Sequence, residues 1–159
     1  MADTRFINPD TLAKPPSYTH VVEIVGPCRT IHISGQLGTD RDGHVVGDFR
    51  AQAVQVFENL KAALAAVGAT FADVVKLNSY LADIADLPVL RDVRVRYLNA
   101  NALPASTTIA VSGFARPGAL LEIEAVAVLP LQTPRGKSSR AKSLRAKKAA
   151  NRATRRTRK

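Results

Sequence analysis

Residues 120–129, LLEIEAVAVL, constrain the fold more tightly than any other stretch of the chain. Leu121, Ile123, Ala125, Ala127 and Leu129 alternate with Leu120, Glu122, Glu124, Val126 and Val128. A period of two is the period of a strand. One face of that strand is wholly apolar and needs a covering layer. The other mixes two carboxylates with two valines, so it suits neither open water nor a dry core.

The covering layer is visible upstream. Residues 48–67 read as a helix, because Ala53, Phe57, Leu60, Leu64 and Val67 recur every three or four positions. Asp48 is placed to cap its start and Gly68 to end it. Residues 74–81 read as a strand with Val75, Leu77, Ser79 and Leu81 on one face. Asp86 is expected to cap a second helix, with Pro88 tolerated in the first turn and Leu87, Leu90, Val93, Tyr97 and Leu98 buried. Pro104 ends that element, and a short strand follows at residues 107–111. Nearer the N-terminus, residues 20–25 and 30–34 are rich in Val and Ile and flank Gly26-Pro27, which predicts a hairpin.

The order is ββαβαββ with room for one further strand. It predicts an α+β, two-layer sandwich: a mixed sheet with two helices on one face. The second face, with Val74, Tyr80, Val126 and Val128, is too apolar to leave open, which predicts burial against other copies of the chain.

Charge divides the chain in two. Residues 131–159 hold twelve Lys/Arg and no Asp/Glu, which leaves eleven basic and thirteen acidic residues in residues 1–130. The formal net charge of +10 therefore belongs to a tail, and residues 1–130 form the folded domain. From residue 135 the tail has one leucine and no aromatic residue, so it is expected to be disordered in isolation. Residues 135–159 suit non-specific, salt-dependent binding of nucleic acid, or a purely solubilising role. Without aromatic residues the tail has nothing on which to stack bases.

Other classes fall away. The single cysteine, Cys28, allows no intrachain disulfide, which fits a reducing compartment and predicts a cytoplasmic protein. No apolar run approaches the ~20 residues of a membrane span, and residues 1–16 do not read as a signal peptide. His20, His32 and His44 show no metal-ligand spacing.

Several short motifs, in order, resemble the RidA (YjgF-type) family. They are Tyr18-Thr19-His20, Ile33-Ser34-Gly35-Gln36, Gln52 with Asn59-Leu60, Gly68-Ala69, Asp73-Val74-Val75-Lys76, Tyr97, Pro104-Ala105 and the closing Glu122-Ile123-Glu124-Ala125-Val126-Ala127. The resemblance spans about residues 7–130 and excludes the basic tail. It implies a chorismate-mutase-like fold and a homotrimer whose central sheets form a barrel, with clefts between subunits. It also implies hydrolysis of a small reactive imine or enamine to a carbonyl compound and ammonia, with no metal or organic cofactor. Carried over residue by residue, Glu122 would handle the water, Tyr18 and Ser34 beside Gly35 would line the cleft, and the backbone around Thr107 and Thr108 would complete it.

One position departs from the family. Hydrolytic members carry arginine directly after Pro-Ala, where this chain has Ser106. A hydroxyl cannot copy arginine's bidentate grip on a carboxylate. Losing a hydrogen bond to a charged group, ~1.5–3 kcal/mol, predicts about 10- to 150-fold poorer use of short 2-imino acids. The substrate then lacks a carboxylate or places it elsewhere, and Arg91 in the second helix is one candidate replacement anchor. The residues alone leave Glu122 open between an interface ion pair and a water-activating group, and Glu124 reads as structural, paired with a neighbouring subunit. The competing reading of the whole chain is a non-catalytic trimeric binding module that its tail tethers to nucleic acid.

Overall fold

The computed structural model describes residues 3–131. The basic segment from residue 132 onward, with the tail expected there, lies outside the described residues. Eight elements follow in order: β1 (Asp3–Ile7), β2 (Val21–Val25), β3 (Cys28–Leu37), α1 (Phe49–Ala66), β4 (Val74–Leu81), α2 (Leu87–Arg94), β5 (Ala105–Ala110) and β6 (Leu121–Pro130). A four-stranded sheet runs β3-β6-β4-β5, and β1-β2 form a separate ribbon. β6 is antiparallel to both neighbours, whereas β4 and β5 are parallel, so the sheet is mixed as expected.

α1 forms where its pattern puts it. The Asp48 carboxylate accepts the Ala51 N–H at 2.9 Å. At the other end Gly68 takes φ +75°, a left-handed conformation that costs glycine little. There the Gly68 N–H reaches the Ala65 carbonyl and the Ala69 N–H the Leu64 carbonyl, closing the helix as a Schellman turn. Phe57, Leu60 and Leu64 of α1 are fully buried with Leu77, Leu81, Leu90, Leu121 and Ile123. Those side chains are the core between the sheet and the two helices.

Three local expectations are corrected. The hairpin across Gly26-Pro27 does not form: β2 pairs with β1, and β3 spends its length on β6, from Cys28 opposite Pro130 to Leu37 opposite Glu122. β1 was not visible in the sequence because it is five residues long and carries two charges, Asp3 and Arg5. The second correction concerns β4. A bulge between Val74 and Lys76 breaks the alternation, so Val74 joins the core opposite Ala127. The third concerns Asp86, which makes no side-chain cap. Pro88 removes an N–H such a cap would bind, and Asp83 instead caps the preceding 3-10 turn by accepting the Ala85 N–H at 2.8 Å.

The sheet's second face is partly covered by the chain itself. Thr4 and Phe6 of β1 share with Val75 and Val128 the wall of a cavity of about 160 Å³. The remainder of that face, around Glu122, Tyr80 and Ile109, has no such cover; Ile109 is 47% exposed.

Candidate active site

On the uncovered face two glutamates of β6 meet different surroundings. Glu124 is pinned: its Oε1 accepts from Asn78 Nδ2 at 2.7 Å and from the Tyr80 hydroxyl at 3.1 Å. Both donors sit on β4, where Asn78 pairs with Glu124 and Tyr80 with Glu122. The hydrogen bond to Glu124 holds the Tyr80 phenol above its ordinary pKa, since the carboxylate needs the proton that the phenol would lose; burial adds in the same direction. Glu122 has no hydrogen-bond or ion-pair partner among the described residues.

A bulge in β3 brings Ser34 and Gly35 to this place. Ile33 pairs with Ala125 and Gln36 with Ile123, so two residues of β3 face one of β6. The Gln36 amide fixes the bulge by donating to the Ser34 carbonyl at 3.0 Å and to the Gly35 carbonyl at 3.4 Å. The bulge also explains the glycine. A Cβ at Gly35 would collide with the Glu122 carboxylate, with Cδ at 2.6 Å. Next to it, Ser34, His32, Lys76, Asn78 and Glu124, with Ile33, Ala125 and Val126, line a recess of about 210 Å³.

The other expected residues gather at the β5 edge. The Thr19 N–H donates to the Pro104 carbonyl at 3.2 Å, which lays the Tyr18 segment beside the start of β5. Tyr18 packs edge-on against His20, with ring centres 5.2 Å apart. Ser106 belongs to the helix-facing side of the sheet, where its hydroxyl accepts from Arg94 Nη1 at 3.2 Å. Thr107 lies on the opposite side, and its hydroxyl meets Lys76 Nζ at 2.7 Å; Thr108 is half-buried. Arg91 is exposed and does not touch Ser106; Arg94, one turn on, makes that contact instead.

The strand register keeps the two groups apart. Ser106 is level with Leu77 and Ala125, two strands and three residues from Glu122 and on the other face, so about 14 Å separates them. Within one chain Glu122, Gly35 and Ser34 come together, and Tyr18, Ser106 and Arg91 form a second group. Sequence reasoning missed Arg94, Asn78 and Tyr80 as site residues. Arg94 had a readable signal: it is four residues after Leu90 and four before Leu98, inside the buried stripe of its helix.

An exposed turn also draws Asp40, Asp42 and His44 within 4.8 Å of one another. Asp40 there already accepts the backbone N–H groups of Asp42 and His44 at 3.0 and 2.9 Å, which accounts for the cluster as turn structure.

A four-stranded mixed sheet with two helices on one face defines an α+β, two-layer protein, and the solved structures that match it are of the YjgF/RidA type. The solved structure of a Rid-family protein of unknown function from Yersinia pestis superposes with a TM-score of 0.73 at 38% identity, over 79% of this chain and 98% of that one. RidA from an Antarctic Psychrobacter gives 0.61, also at 38% identity, over 79% and 99%. Residues 11–129 match the family described as Endoribonuclease L-PSP, and the chain belongs to that family, the RidA/YjgF family. Human 2-iminobutanoate/2-iminopropanoate deaminase is 39% identical over 108 residues, 66% of this chain and 77% of its own. Protein DfrA of Myxococcus xanthus is 40% identical over 113 residues, 70% of this chain and 84% of its own.

Proposed function

We propose that this chain hydrolyses a reactive imine or enamine to a carbonyl compound and ammonia, in a cleft completed by a second copy of the chain within a trimer. The observation that carries the reading is the contrast between the two glutamates. Glu124 is held by Asn78 and Tyr80, whereas the neighbouring Glu122 carboxylate rests on Gly35 with no partner among the described residues. An unpaired carboxylate on a half-covered face is suited to orient a water.

The chemistry asks little more of the protein. A protonated imine carbon is already electrophilic. Glu122 accepts a proton from water as its oxygen bonds to that carbon, giving a carbinolamine. The same proton then passes to nitrogen, Glu122 takes up the hydroxyl proton as the C–N bond breaks, and ammonia leaves with the carbonyl compound, carrying that proton away as ammonium. Each step balances without an oxidant or reductant. Family membership supports the reading, since several relatives bear the name of an imine deaminase. The separation of about 14 Å between Glu122 and the Tyr18–Ser106 group supports a cleft that draws its two walls from two copies.

The test uses an amino-acid oxidase to generate 2-imino acids in place, with their loss followed at rising enzyme concentration. Wild type is expected to accelerate it, and Glu122→Gln to lower kcat by about 10²–10⁴-fold with the oligomer unchanged. Full activity in Glu122→Gln would remove the carboxylate from the mechanism.

A further inference from the structure

Arg94 is the most unusual charge in the described chain. It is only 6% exposed, yet no carboxylate of the described residues lies within ion-pair distance of it. Its guanidinium donates to the Ser106 hydroxyl and to the Ser17 carbonyl, both neutral acceptors. Two of its five N–H groups are thereby engaged. Burial disfavours its charged form, and the like charge of Arg91 adds to that. A buried cation without a counter-charge is costly, and an anion alongside it relieves the cost.

The place for an anion is present. Arg94, Arg91 and Ser17 line a cavity of about 160 Å³ whose remaining walls are apolar, among them Leu98, Leu103 and Val95. Two arginines set in an otherwise apolar wall match a small carboxylic acid with a short aliphatic chain. The guanidinium also stands 3.2 Å from the Ser106 side chain. A guanidinium thus reaches the place of residue 106 from α2.

We propose that Arg94, assisted by Arg91, is the carboxylate anchor of this protein, so that its substrate is a short carboxylate-bearing imine held from the helix layer rather than from β5. The proposal deepens the imine-hydrolase reading and rests on it for the word substrate, but the anchor itself is testable without turnover.

The probe is pyruvate, titrated into the full-length protein by calorimetry or ligand-observed NMR. Wild type is expected to bind it. Arg94→Gln is expected to bind it about 10- to 150-fold more weakly, with KM for the 2-imino acid raised in step and kcat little changed. Because Arg94 also ties down Ser17, Arg94→Gln could fail to fold, and Val95→Glu covers that case. Val95 is 71% exposed at the cavity, so this change leaves the core intact and offers Arg94 an internal carboxylate. It is expected to abolish pyruvate binding. Pyruvate that binds wild type and both variants alike, or that does not bind wild type, overturns the anchor. Pyruvate binding that depends on Arg94 in a protein without imine hydrolysis keeps the anchor and overturns the enzymatic reading alone.

Discussion

At the scale of single residues, Gly35 gives the sharpest separation of function from stability. Its backbone needs no left-handed conformation, so the glycine is there for space. The atoms that a Cβ would strike belong to the Glu122 side chain, which can swing away. Gly35→Ala is therefore expected to fold with its melting temperature nearly unchanged while kcat falls at least tenfold, about 1.4 kcal/mol of transition-state stabilisation. A matched loss of melting temperature and activity would mean that the glycine serves packing instead. Glu122 and Gly35 were both legible in the sequence as members of a pattern. Which of the two glutamates is free was not legible: the residues alone left Glu122 open, and the pinning of Glu124 by Asn78 and Tyr80 of its own chain, rather than by a neighbouring subunit, is a matter of register between strands far apart in sequence. Arg94 was hidden for the opposite reason. A charged residue inside an apolar stripe is read as an interruption, and its meaning depends on Ser17 and Ser106, which only the fold brings to it.

At the scale of elements, one buried polar side chain ties α1 to the entry of β6. Gln52 is 1% exposed. Its Nε2 donates to the Gly118 carbonyl at 3.1 Å and its Oε1 accepts the Leu120 N–H at 2.9 Å. It thus satisfies backbone groups just before β6 begins and fixes the strand that carries both glutamates. Gln52→Leu conserves size but strands those groups, and chemical denaturation is expected to show a loss of about 1–3 kcal/mol for each group left unpaired. An unchanged midpoint would show that water replaces the amide there. Elements with a long period, α1, β4 and β6, were readable because burial on one face is written into each of them. β1 and its pairing with β2 were not. Five residues hold too few alternations to show a period, and a Gly-Pro turn speaks only for the bend, not for which strand is paired beyond it.

At the scale of the whole molecule, the two halves of the proposed site lie on opposite faces of one sheet, about 14 Å apart. No side-chain rotation in a single chain closes that distance around one small imine. If Glu122 of one copy faces the Arg94–Ser106 edge of the next, each site in a closed ring takes one half from each of two neighbours. Two impaired variants then repair each other. Glu122→Gln retains the anchor, and Arg94→Gln retains the water-handling carboxylate. Co-expressed in equal amounts and assayed at low substrate, where kcat/KM governs the rate, they are expected to regain about a quarter of wild-type activity, because a random ring pairs two intact halves at one site in four. The same variants purified separately and mixed without subunit exchange should stay inactive, which excludes simple addition of residual rates. Co-expressed activity no higher than that of the better parent would put both halves in one chain, and sedimentation of wild type as a monomer would remove the shared cleft altogether.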